Sequence, residues 1–210
     1  LWPFQVVHAL ANGARHYSTT FHTYVPVNRV LTSNGEVTGI ETALGNVEAG
    51  AVVIATNAWT RDLLPELPEG AIVPARGQIL VTQPVGPILP MPFSTNFDKE
   101  YGRQTHSGQI ICGGFRRLDI DEGLGHVTEY VHPPAIGGIA DCLATIFPKM
   151  RALRVVRAWA GLMGFTADGL PMIGAYGEHK GLYVAAGFNG GGFSWGPATG
   201  KAMAQLIANG

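Results

Sequence analysis

Cysteine is scarce: the 210 residues hold only Cys112 and Cys142, outside any CxxC. That excludes a disulfide framework and a zinc knuckle, and it suits a reducing, cytoplasmic compartment. The seven histidines, His106, His126 and His132 among them, show no metal-ligand spacing, so no metal is expected. Long apolar runs are missing too, and nothing reaches the ~20 residues of a transmembrane helix. The opening Leu1-Trp2-Pro3-Phe4-Gln5 has neither an initiator Met nor the charged start of a secretory signal, and it reads as the middle of a longer or divided protein. Neither sign of charge is in excess: fourteen Lys and Arg face fifteen Asp and Glu, for a net −1. With no basic stripe, nucleic acid is excluded as a partner. Also absent are Gly-x-Gly-x-x-Gly and the P-loop pattern, so the chain carries no phosphate-binding fingerprint of its own.

What is present is a globular composition, 46% hydrophobic, sufficient for a core. Residues 3–16 read as a helix with Val6, Val7, Leu10 and Ala14 on one face. A hairpin follows, with strands over 25–31 and 37–42 around Asn34-Gly35 and a second turn at Gly45-Asn46. Ala51-Val52-Val53-Ile54-Ala55 is an unbroken apolar run of the kind buried on both faces of a parallel sheet, and a central position is expected. A short helix from Trp59 to Leu64 stops at Pro65, and Pro65-Glu66-Leu67-Pro68-Glu69-Gly70 reads as a connector between two regions.

From about residue 72 to 157 the pattern changes to strands over 77–82, 101–105 and 109–113 and a helix over 134–147, the pattern of antiparallel strands with a helix on one face. Leu182-Tyr183-Val184-Ala185-Ala186 is a second compact buried strand, followed by a glycine turn and a helix over 198–208. The expected fold class is α/β plus α+β, with residues 1–68 and 158–210 forming one domain around an inserted antiparallel-sheet domain at 69–157.

A strand, a glycine-rich turn and a helix together leave free N–H groups beside a positive helix end, which suits an anion or an electron-rich oxygen. A tight turn that only packs strand against helix is the other reading. Gly192-Phe193-Ser194-Trp195-Gly196 also matches the Gly-x-Ser-x-Gly elbow of serine hydrolases. That elbow needs a later acid and histidine, and residues 195–210 contain no Asp, Glu or His. The loop of about ten residues expected before the helix is also long for a sharp elbow.

Four segments, in order, resemble the glycine oxidase, sarcosine oxidase and D-amino-acid oxidase (DAO) family of FAD enzymes. They are Val52 through Trp59, Pro74-Ala75-Arg76-Gly77-Gln78-Ile79-Leu80, Trp159-Ala160-Gly161-Leu162 through Gly174, and Gly187 through Gly200. The resemblance covers nearly the whole chain, but without the family's N-terminal dinucleotide-binding unit. It implies a partial, glutathione-reductase-like FAD-binding domain interrupted by a substrate domain. The implied activity is oxidation of the C–N bond of an amino acid or secondary amine by hydride transfer to flavin N5. A missing N-terminal segment or another subunit is the implied partner. The alternatives are a non-catalytic remnant or interaction subunit that holds no FAD alone, and, more distantly, a serine hydrolase.

By position, the resemblance implies cofactor contacts from Val27, Ala55, Thr56 and Asn57, and from Gly187, Phe188, Asn189, Gly190, Gly191, Gly192, Phe193 and Ser194. Val27 also reads as an ordinary strand valine, and Asn57 as a helix cap. Tyr101 and Arg103, on one face of a strand, are the candidates for a substrate carboxylate, and a solvated surface pair is their plain alternative. Met163 stands where glycine-oxidase-like members place a carboxylate-binding Arg. Gly191 and Ser194 replace the His and Lys of the sarcosine-type pattern, so FAD is expected to be non-covalent. No catalytic residue is assigned.

Overall fold

The computed structural model describes residues 2–95 and 99–209. The chain divides into two compact units, the first made of Leu1–Pro68 with Pro171–Gly210, the second of Glu69–Leu170.

The first unit opens with α1 (Pro3–His16), which has Pro at its N-terminus, where a missing N–H costs nothing. None of its residues is buried; Phe4, Val7 and Leu10 on its apolar side are exposed. A meander follows: β1 (Val27–Ser33), β2 (Glu36–Thr42) and β3 (Gly45–Glu48), antiparallel in that order. Asn34 and Gly35, both at positive φ, make the first turn, as Asn-Gly does in hairpins. The turn expected at Gly45-Asn46 is instead the start of β3, which reverses at Ala43-Leu44 and pairs along β2. Next come β4 (Val52–Ile54), a 3-10 turn (Asn57–Trp59) and α2 (Thr60–Leu63).

The second unit is built on β5 (Val73–Thr82), β6 (Phe93–Ser94), β7 (Tyr101–Gln104) and β8 (Ile110–Gly113), followed by α3 (Pro133–Ile146) and β9 (Val155–Phe165). The five strands form an antiparallel sheet in the order β6-β7-β8-β5-β9. Its core lies between sheet and helix, where Leu80, Ile110 and Cys112 meet Ile139 and Leu143. Residues 158–170, assigned from sequence to the first domain, belong here, because β9 pairs along β5 from Phe165 to Val155. The apolar, glycine-containing return strand carries no mark of the sheet it joins.

Back in the first unit, β10 (Met172–Ala175) and β11 (Leu182–Ala186) lead to α4 (Gly192–Asn209). The sheet order is β10-β11-β4, with β11 fully buried. β4 is therefore an edge strand among the described residues, not a central one, and Val53 is 38% exposed. α4 starts at Gly192, six positions earlier than the helix expected from Ala198; Pro197 falls inside it without ending it. Among the described residues no helix is long and apolar enough to cross a membrane.

Candidate functional site

In the first unit, β4 and β11 run parallel with Ile54 opposite Val184, so both release the chain at the same end of the sheet. Loops leaving the carboxyl ends of parallel strands are where open α/β sheets bind ligands. Here these loops are residues 55–57 and 187–191. One side chain ties them together: Asn57 Oδ1 accepts hydrogen bonds from the N–H of Gly187 at 3.0 Å and of Phe188 at 3.3 Å. Asn57 holds a left-handed conformation, φ 47°, which asparagine tolerates. It does not cap the helical turn that follows, whose N-cap position is Thr56 and which has no side-chain cap bond. Ala55 is exposed and Thr56 half-buried beside it. Val27 is different. It opens β1 opposite Thr42, in the unit's other sheet, and no hydrogen bond among the described residues joins it to either loop.

The glycine turn is compact. Gly187 and Gly190 sit at φ 71° and 81°, where a side chain is strained, and Asn189 Nδ2 donates back to the Gly187 carbonyl at 2.6 Å. The N–H groups of Ser194 and Trp195 both return to the Gly191 carbonyl, at 2.9 and 3.1 Å. Those of Gly192 and Phe193, in the first turn of α4, find no acceptor among the described residues, as helix starts leave them. Gly191 is crowded, since a Cβ there would lie 3.0 Å from Trp195 Cδ1. Gly192 is not: its φ is not positive and a Cβ would meet only Phe188 Cβ at 3.8 Å. Nothing inside the unit requires glycine at 192.

The five-residue loop removes one ground against a serine elbow, since it is half the length expected. Ser194 is nonetheless no nucleophile at a turn. It lies within the first turn of α4, and no histidine hydrogen-bonds its hydroxyl among the described residues.

In the second unit, strand register gathers the substrate candidates. Tyr101 is opposite Gly113, which is opposite Ile79; Arg103 is opposite Ile111; Ala75 is opposite Met163. Directly paired residues share a side, so Tyr101, Arg103 and Met163 occupy one face and α3 covers the other. Glycines make room on that face. A Cβ on Gly113 would lie 2.6 Å from the Tyr101 hydroxyl, one on Gly77 2.8 Å from Met163 Cε, while Gly161, opposite Gly77, has open space above it. Tyr101 is 45% exposed as a whole, but its hydroxyl end lies close against Gly113, and burial there, then the neighbouring Cys112, push the hydroxyl above its ordinary pKa. Burial, followed by Cys142 and Glu100, pushes the Cys112 thiol up to about 12, so it is inert.

Sequence reasoning passed over a buried ionic cluster on β5. Arg76 makes a paired contact with Asp119, Nε to Oδ2 at 2.8 Å and Nη2 to Oδ1 at 2.6 Å. Gln78 Nε2 also donates to Asp119 Oδ2 at 2.8 Å, and its Oε1 accepts from the His132 N–H at 2.7 Å. Burial alone would raise the Asp119 carboxyl. Hydrogen bonds from Arg76, the Ile120 N–H and Gln78, with the Arg76 charge, outweigh it and hold the carboxyl below its usual range. The cluster fastens the irregular segment 116–132 and the start of α3 to the sheet. Alternation of Arg76 and Gln78 along the strand was the available signal; Asp119, 43 positions away, had none.

A family profile described as FAD dependent oxidoreductase (DAO) matches residues 2–206. The chain belongs to this family. It is 28% identical over 209 residues to the glycine oxidase of Bacillus licheniformis, covering 98% of this chain and 53% of that protein. It is 31% identical over 191 residues to the sarcosine oxidase subunit beta of Arthrobacter sp, covering 87% of this chain and 44% of that one. The crystal structure of L-proline dehydrogenase from P. horikoshii superposes with a TM-score of 0.84 at 31% identity, covering 98% of this chain and 55% of that chain. The fold is thus that of the DAO-type oxidoreductases, α/β with an antiparallel-sheet α+β part, and the chain spans about half the length of the curated relatives it matches.

Proposed function

We propose that this chain is the flavin-ring and substrate portion of an FAD-dependent oxidoreductase that oxidises the C–N bond of an amino acid or secondary amine. The observation that carries the reading is the paired-loop site in which Asn57 holds the glycine turn against the end of β4. Its residues fit an extended, electron-rich ring edge: two unpartnered N–H groups at a helix start, and at Gly192 a backbone open to close approach. When bound, FAD supplies the hydride acceptor, its N5. The chain's own part is to position and polarise. Donors fixed before reaction at Gly192 and Phe193 favour the more negative, reduced state of whatever they hold. Attachment is non-covalent, since Met163, Gly191 and Ser194 offer no nucleophile and Cys112 is buried and protonated.

In the second unit the face bearing Tyr101, Arg103 and Met163 receives the substrate, with Tyr101 as a neutral donor and Arg103 as the cation for a carboxylate. Met163 makes this pocket less polar than one with an arginine there. The open edge of β4 and the uncovered apolar side of α1 are surfaces for further polypeptide, from the same chain or another subunit. The test is anaerobic mixing of the complete protein with glycine, sarcosine or proline. Bleaching of the flavin bands is expected with at least one of them, and no bleaching with any amine tried overturns the reading.

A further inference from the structure

β9 carries a glycine that nothing in its own unit explains. Gly161 lies in the middle of the strand, its backbone is not left-handed, and a Cβ there would meet no atom within 4 Å. Pairing with β5 passes through it with no register shift there, Gly161 opposite Gly77, so it marks no bulge. A glycine inside a strand weakens it, and close approach by something else is the use left for this one. Its surroundings are open enough for that. Trp159, Gly161, Met163 and Ile79 are each half-buried, and strand pairing puts all four on the face that carries Tyr101. Trp159 and Met163 flank Gly161 two residues to either side, with Cα atoms ~13 Å apart, and leave a slot with an apolar wall at each end. Arg157, beyond Trp159, stacks on the indole with its guanidinium carbon 5.4 Å from the ring centroid and steadies that wall.

The Tyr101 hydroxyl lies over Gly113, 2.6 Å from where a Cβ would stand. Gly113 and Gly161 are two strands and two residues apart, roughly 12 Å between Cα atoms, with the half-buried Ile79 between them. A hydrogen bond from the hydroxyl to a carboxylate takes up ~2.8 Å of that span. What is left is longer than glycine or sarcosine and matches an amino acid with a ring on its side chain. A flat ring can lie directly on the Gly161 backbone, with the indole at one side and the Met163 thioether at the other. On the reading of this face as the substrate's, we infer that the slot over Gly161, walled by Trp159 and Met163, selects amino acids with an aromatic side chain. The carboxylate stays with Tyr101 and Arg103, and the ring fills the space that Gly161 leaves.

Equilibrium dialysis of the complete protein with radiolabelled 3-phenylpropionate and propionate tests this, because both offer a carboxylate and neither has an amine to be oxidised. Phenylpropionate should bind about tenfold more tightly, the worth of a partly buried ring. Gly161→Val fills the slot with a side chain that strands favour, so this ratio should fall to about one while flavin content and melting temperature hold. Tyr101→Phe should weaken both ligands by a similar factor and keep the ratio. The inference is overturned if phenylpropionate binds no better than propionate or if Gly161→Val keeps the ratio. It is overturned equally if Gly161→Val sheds flavin or melts lower, which would assign the glycine to the cofactor or to packing. The enzymatic reading fails separately. A Gly161-dependent ratio in a protein whose flavin no amine bleaches upholds the slot and removes the oxidase, whereas bleaching by glycine with no ratio does the reverse.

Discussion

Asn57 reaches across 130 residues of sequence to hold Gly187, its Oδ1 accepting the Gly187 N–H at 3.0 Å and the Phe188 N–H at 3.3 Å. The contact joins the ends of two parallel strands and sets the start of the glycine turn. Asn57→Ala leaves both donors without their acceptor and should destabilise by about 1–3 kcal/mol, read in urea unfolding, and should weaken flavin binding in the complete protein. Asn57→Asp keeps an acceptor and a residue at ease in the left-handed region, and it should recover most of the stability.

Gly192 separates a structural glycine from a ligand-facing one. Gly192→Ala meets only ordinary contact with Phe188 and adds helix propensity, so the melting temperature should hold or rise, by up to about 1 kcal/mol in stability. Flavin content should fall. A variant that keeps both its stability and its full flavin content would show that the turn is only a packing device. Gly190→Ala, at φ 81°, should lose stability whatever binds nearby.

The Arg76–Asp119 pair gives the second unit a pH dependence of definite sign. The Asp119 carboxyl is held below its usual range in the folded state, so its stabilisation is complete above the unfolded value, about 3.9. That stabilisation is lost as pH falls through the lower folded value. Melting followed from neutral pH downward should show this loss, and Asp119→Asn should flatten it. Asp119→Ala, which leaves Arg76 buried without its partner, should cost about 3–5 kcal/mol.

Tyr101 and Met163 test the substrate face. Tyr101→Phe removes a donor without removing the ring and should raise KM for a carboxylate substrate about tenfold, one hydrogen bond's worth. Met163→Arg fills the space beside Gly77 with a cation and should shift preference toward small carboxylate-bearing amines. Steady-state kinetics of the complete protein with amine substrates differing in the carboxylate decide both.

Much of this was legible in the sequence because local rules were sufficient. Asn34-Gly35 dictated its hairpin, the alternation of Tyr101 and Arg103 put them on one face, and the five apolar residues of β11 could only be a buried strand. What failed depended on partners. The apolar run at β4 reads as central, yet β11 is its one neighbour among the described residues. The return strand at β9 joins β5 through a register that no single segment encodes. α4 begins at Gly192 although Gly196 and Pro197 both disfavour a helix interior, because the turn bonded through Gly191 nucleates it first. The role of Asn57 was hidden for the same reason: a capping position was visible locally, and its acceptors' true donors lay at the other end of the chain.

The most direct test of the flavin site is the visible absorption spectrum of the complete purified protein, recorded before and after acid precipitation. Flavin bands in the native protein that pass into the supernatant are the predicted result. A protein without flavin bands would contradict the account, and bands that stay with the precipitate would contradict its non-covalent attachment.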